Sequence, residues 1–278
     1  MGRWEEAIDE FLKAYQSDPR YPDMIHNLSE TYAFLGKYQE SLDLIREVTM
    51  FAPENPINYE MKILATLLRD GNTQIAREAI QEAEIYHCSE YEITKDALYI
   101  TPVTLDICEG SYQKALDYLT ESRWEGSLNV MYYHPKSLYQ AWLSEQLDLP
   151  DRARIYYDTS RIILEEKLNE LPDDPRIMGA LGIAYAGLGN KEKALRYGKD
   201  AVTLYSLEKD AYFGLTRIED LAWTYVLIGE NDIALDQIEI LLSNTGAYSA
   251  PLLKLDPRWK PLWDHPEFVR LTDLYAQK

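Results

Sequence analysis

Apolar residues in this chain recur at helical spacing and are interrupted at regular intervals by a glycine. Leu28, Tyr32 and Leu35 precede Gly36, Leu181, Tyr185 and Leu188 precede Gly189, and Leu221, Tyr225 and Ile228 precede Gly229. Steps of three and four residues put such side chains on one face of an α-helix. Each glycine opens a short phrase: glycine, four residues, then a small residue. It reads GRWEEA at 2–7, GKYQES at 36–41, GNTQIA at 71–76, GSYQKA at 110–115, GNKEKA at 189–194 and GENDIA at 229–234. DLPDRA at 148–153 keeps the register with Asp148 in the glycine's place. Successive starts are 34, 35, 39, 38, 41 and 40 residues apart, and six of the 13 glycines fall on this one position. The pattern predicts helical hairpins: the glycine ends one helix in the left-handed conformation, and the small residue lets the next helix pack closely. Downstream, Ala7, Phe11 and Ala14 lead to Pro19, and Ser41, Ile45 and Val48 lead to Pro53, where proline stops the second helix.

These residues resemble the tetratricopeptide repeat, a 34-residue helix–turn–helix unit. The segments DMIHNLSETYAFLGKYQESLDLIREVTMFAP (23–53) and PRIMGALGIAYAGLGNKEKALRYGKDAV (175–202) carry the resemblance best. Residues 130–271 are also similar to a bacterial module found behind kinase, nucleotide cyclase or winged-helix domains. The specific phrase there is LDPRWKPLWDHPEF at 255–268. The resemblance implies an all-α, right-handed superhelical solenoid of about seven hairpins with a C-terminal capping helix near 266–276. It covers 1–278 as one domain, with the first hairpin truncated. Irregular segments are expected at 85–101, 122–134, 205–216 and 243–265. Thr101 and Pro102 read as the start of a short helix, and the aromatic stretch 122–134 as an ordered loop packed on the solenoid.

The implied function is a non-catalytic protein–protein interaction scaffold, regulatory or sensory, that binds a peptide or protein in its concave groove. The alternative is a homo-oligomerisation or autoinhibitory module of a larger signalling enzyme or transcriptional regulator. By register, the face that lines the groove in this family carries His26, Glu30, Phe34, Tyr139, Trp142, Glu219, Trp223 and Val226. Trp142 and Trp223 stand out, because tryptophan is enriched at binding hot spots.

Composition narrows the partners. Lys and Arg total 28 against 47 Asp and Glu, a net charge of −19. That charge argues against nucleic acid and favours neutral or basic protein partners with apolar anchors. It also argues against a cationic clamp for acidic tails, since the comparable positions carry His26, Glu30, Met61, Ala65, Glu219 and Trp223. No uninterrupted apolar run reaches membrane-helix length and no apolar signal core opens the chain, which suggests a cytoplasmic protein. The glycines recur singly at turns, and no phosphate loop, nucleophile elbow or kinase signature is seen, so no catalytic residue, cofactor or metal is expected. A metal at His87, Cys88 and Cys108 would need Glu90 or Glu92 as a further ligand; two packed thiols are the simpler reading, and a Cys88–Cys108 disulfide stays open. The close carboxylate pairs Glu165–Glu166 and Glu219–Asp220 read as solvated faces, and Asp173–Asp174 as a helix cap.

Overall fold

The computed structural model describes residues 2–86, 88 and 95–276. Among them the chain is all-α apart from one small ribbon. The helices are α1 (Trp4–Ser17), α2 (Pro22–Phe34), α3 (Tyr38–Phe51), α4 (Pro56–Asp70), α5 (Thr73–Ile85), α6 (Lys95–Cys108) and α7 (Tyr112–Glu121). After the ribbon come α8 (Lys136–Gln146), α9 (Pro150–Glu170), α10 (Pro175–Gly187), α11 (Lys191–Leu204), α12 (Phe213–Leu227) and α13 (Asn231–Ser243), then α14 (Ala250–Leu255) and α15 (Pro266–Leu274). From α1 to α6, and again from α7 to α13, each helix packs on the next, and α2 with α4 and α10 with α12 also touch, so helical hairpins stack on one another.

The hairpin turns sit where the repeated phrase places them. Gly36, Gly71, Gly110, Gly189 and Gly229 all have φ between +67° and +76°, and Asp148 holds φ +54° in the same role. At Gly189 the Asn190 amide donates to the Tyr185 carbonyl and the Gly189 amide to that of Ala186, the paired bonds of a Schellman cap. Asp148 closes its turn in the same way, through Leu149 to Ser144 and Asp148 to Glu145. The small residues after the turns, Ser41, Ala76, Ala115, Ala153, Ala194 and Ala234, are all buried against the partner helix. A Cβ at Gly189 would meet no neighbour within 4 Å, so substitution there tests backbone strain alone. Gly189→Val is expected to cost about 1–3 kcal/mol in urea unfolding, and Gly189→Asn clearly less, as Asp148 already shows a short polar residue in this role. Equal stability of the two variants would count against the strained turn.

The helix start read at Asp173–Asp174 forms and the one read at Thr101 does not. Asn55 and Asp174 accept from the backbone amides of Ile57 and Arg176, capping α4 and α10, each with proline next. Asp173 takes a left-handed turn instead, with φ +64°. The expected helix start at Thr101–Pro102 is corrected: α6 begins at Lys95 and Pro102 lies inside it. A proline there removes one amide from the helix ladder, and the flanking turns carry the helix through.

By packing, the chain divides into two compact units. The first contains 2–109, 245–257 and 270–276, and the second 110–244 and 258–269. In the first, Ile63, Leu67, Ala76, Ala79 and Leu105 form a core cluster to which Leu252 and Leu255 of α14 add. In the second, α12 is the central helix, with every residue from Gly214 to Val226 buried. The segment expected as an irregular loop at 122–134 pairs as an antiparallel ribbon, β1 (Gly126–Leu128) with β2 (Tyr133–Pro135). Gly126 has φ +139°, and a Cβ there would sit 2.2 Å from the His134 carbonyl oxygen, so the ribbon closes only around glycine.

Candidate interaction surfaces

The second unit places three of the expected groove residues, Tyr139, Glu219 and Trp223, around the ribbon. β2 packs on α8, α9 and α10. The hydroxyl of Tyr132, just before β2, donates to Glu219 at 2.6 Å, and His134 Nε2 of β2 donates to Asp220 Oδ1 at 2.9 Å. Arg217 forms an ion pair with the other Asp220 oxygen at 3.3 Å and donates to the carbonyls of Pro175 and Met131. Arg176 donates to the Asn129 carbonyl at 2.7 Å, and the Tyr139 hydroxyl to Ser127 at 3.0 Å. Arg258, supplied by the LDPRW phrase, donates to Glu219 at 2.8 Å and lies over the Trp223 ring. The ribbon thus covers the sides of α8 and α12 that register assigned to the groove.

Electrostatics explains why two adjacent carboxylates are buried here. Burial alone would raise the Asp220 pKa; the Arg217 charge first, and then that of His134, outweigh it and hold Asp220 below the usual carboxylate range. The reading of Glu219–Asp220 as a solvated face is therefore corrected, because two arginines and the ribbon cover it. Asp220 also fixes a close helix crossing: a Cβ at Gly179 would lie 2.4 Å from its Oδ2.

Six of the eight groove positions are buried: His26, Phe34, Trp142, Glu219, Trp223 and Val226. Glu30 and Tyr139 are half-buried. Trp142 stacks edge-on to Tyr112 at 5.8 Å, and Trp223 faces His134 and Arg258. Their expected role as exposed anchors is corrected, since their rings are spent on neighbours within the fold. In the first unit His26 Nε2 donates to Asn58 Oδ1 at 2.6 Å, Asn58 donates onward to the Ala52 carbonyl, and burial lowers the His26 pKa. Phe34 packs edge-on to Trp4.

Sequence reasoning missed Tyr132, His134, Arg217 and Arg258. Their partners are 86 or 87 residues away for the ribbon and 39 for Arg258, so no local pattern joins them. It also missed an open cleft of about 570 Å³ in the first unit, between α3 and α5 over α4. Ile45 and Tyr59 form part of its wall, Met50 and Tyr86 its apolar rim, and Arg46, Lys62 and Arg69 its cations. Met50 is 76% exposed, and Phe51, Ile85 and Tyr86 near it are exposed as well.

On α4, Glu60 has one oxygen buried without a hydrogen-bond partner, and burial pushes its pKa from 4.5 to about 7. A carboxyl whose folded pKa is raised contributes stability that is intact below the unfolded value and lost as pH rises through the folded one. Glu60→Gln is therefore expected to gain on the wild type between about pH 4.5 and 7, by something on the order of 2–3 kcal/mol at pH 8. Urea midpoints at pH 4.5 and pH 8 check this; a constant difference between the proteins would contradict it.

His87, Glu90 and Glu92 lie outside the described residues. Neither Cys88 nor Cys108 is in a disulfide. Among the described residues no three His, Cys, Asp or Glu side chains cluster to hold a metal, and no helix is long and apolar enough to cross a membrane. No protein-family model and no curated protein matches the sequence. Among solved structures the chain is similar to one in the crystal structure of the APC/C hetero-tetramer Cut9-Hcn1. The TM-score is 0.46 at 16% identity, over 98% of this chain and 48% of that one. The chain thus spans about half the length of the solved chain it matches.

Proposed function

We propose that this chain is a non-catalytic protein–protein interaction scaffold, serving a regulatory or sensory role by holding a peptide or protein partner. The observation that carries this reading is the exposed apolar rim of the α3–α5 cleft. Met50 and Tyr86 are exposed and line a concavity of ligand size, and Phe51 and Ile85, next to them in sequence, are exposed as well. Grouped apolar exposure of this kind marks interaction sites, whereas single exposed apolar residues do not. The inner face expected to bind is packed in the second unit, which moves the proposed contact surface to this cleft. Over the chain as a whole, −19 favours neutral or basic partners on approach.

The test is selection of a random peptide display library on the full chain. Enriched peptides are expected to lose binding to the Met50→Ser, Tyr86→Ser double variant while circular dichroism stays that of the wild type. A library that yields no binder, or binders indifferent to the double variant, would sink the proposal.

A further inference from the structure

The α3–α5 cleft departs from the charge of the rest of the chain. Arg46, Lys62 and Arg69 line it, against Glu82 as the one carboxylate in its described wall, within a chain where acids outnumber bases 47 to 28. Each cation already has a partner. Arg46 pairs with Asp43 at 3.0 Å, Lys62 with Glu82 at 2.7 Å and Arg69 with Asp70 at 2.8 Å. Asp43 and Asp70 stand outside the lining, and in all three pairs at least one side chain is well exposed. Such surface pairs hold weakly, so an incoming carboxylate can exchange into them.

Geometry sets what could use these charges. Tyr59, Lys62, Thr66 and Arg69 follow one another at steps of three and four along α4, forming a stripe on the floor of the cleft. Lys62 and Arg69 are seven residues apart, about 10 Å along a helix axis. A peptide in the polyproline II conformation advances about 3.1 Å per residue with three residues per turn, so two carboxylates three positions apart lie on one side of it and span about the same length. The apolar wall of the cleft includes Ile45 from α3 and Ile75 from α5, with Met50 and Tyr86 at the rim.

We propose that this cleft binds a peptide segment in the polyproline II conformation carrying two acidic residues three positions apart with an apolar or aromatic residue between them. The carboxylates meet Lys62 and Arg69, Arg46 adds to the field from α3, and the apolar side chain seats between α3 and α5. This rests on the scaffold reading and names its ligand chemistry, opposite in sign to what the net charge suggests.

The probe is a fluorophore-labelled synthetic peptide with a phenylalanine between two glutamates three positions apart, titrated with the full chain by anisotropy. Glutamine-for-glutamate and alanine-for-phenylalanine peptides serve as controls. The acidic peptide is expected to bind at least about tenfold tighter than the glutamine control, with affinity falling as salt is raised. Lys62→Met with Arg69→Met is expected to remove that difference at unchanged helix content. If the double variant loses helix content, Lys62→Gln and Arg69→Gln, made singly, are each expected to narrow the difference. Equal binding of the acidic and glutamine peptides, or no binding of either, would overturn the proposal. If display selection on the same chain still yields binders lost with Met50 and Tyr86, the scaffold reading stands and the acidic ligand alone is wrong.

Discussion

Arg217→Met is expected to lower the unfolding free energy by about 3–5 kcal/mol, far more than an average substitution. Arg217 and Asp220 are each 1% exposed. Removal of the guanidinium leaves Asp220 as a buried carboxylate with only His134 and the more distant Arg258 charge to offset its burial. It also strips donors from the Met131 and Pro175 carbonyls, which hold the ribbon and the start of α10. Methionine replaces most of the volume, so the loss is electrostatic rather than a cavity. The partner test is a double-mutant cycle with Asp220→Asn. If the ion pair is the cause, the double variant loses clearly less than the two single losses added together. The wild-type advantage also has a pH window. Asp220 is depressed in the folded state, so its contribution is present above the unfolded value of 3.8 and lost as pH falls through the folded one. A loss under about 1 kcal/mol at neutral pH would show that Arg217 is not what holds this network together.

The register of the hairpins was legible because it is local. A left-handed glycine and a small residue five positions on are needed at each turn whatever the rest of the chain does, and Asp148 shows the same demand met without glycine. The ribbon was not legible. Residues 126–135 are too short and too aromatic to show an alternation, and what fixes them is tertiary: Tyr132 and His134 find Glu219 and Asp220 across 87 and 86 residues. The same contacts explain why groove residues assigned by register proved to be buried. Register gives the face of a helix, and Glu219 and Trp223 do lie on one face of α12. It does not say whether another segment of the chain already covers that face. The α3–α5 cleft was hidden for a related reason. Its cations come from two helices, α3 and α4, and within the sequence each stands near an acid that reads as its neutralising partner.

Trp223→Ala is expected to cost about 3–5 kcal/mol of stability, the range for a large aromatic removed from a packed core. The sequence alone pointed to a different loss, of affinity for a groove ligand, but the ring is 2% exposed. Arg258 lies 5.1 Å above it and His134 meets it edge-on at 6.3 Å. Truncation therefore opens a cavity beside Arg258 and His134 and loosens both Arg258 and the ribbon. Trp223→Phe separates packing from chemistry. The indole N–H is buried with no hydrogen-bond partner, so phenylalanine removes a donor that contributes nothing while keeping most of the apolar contact. Phenylalanine is expected to cost clearly less than alanine, and both variants should leave peptide binding at the α3–α5 cleft unchanged wherever the protein remains folded. Met50→Ser gives the opposite pattern: at 76% exposure its unfolding midpoint should stay within about 0.5 kcal/mol of the wild type, while cleft binding falls. Paired urea unfolding and anisotropy measurements on the three variants check both patterns. If Trp223→Ala keeps wild-type stability and loses the ligand instead, Trp223 is an anchor after all and the ribbon is not the group that occupies its face.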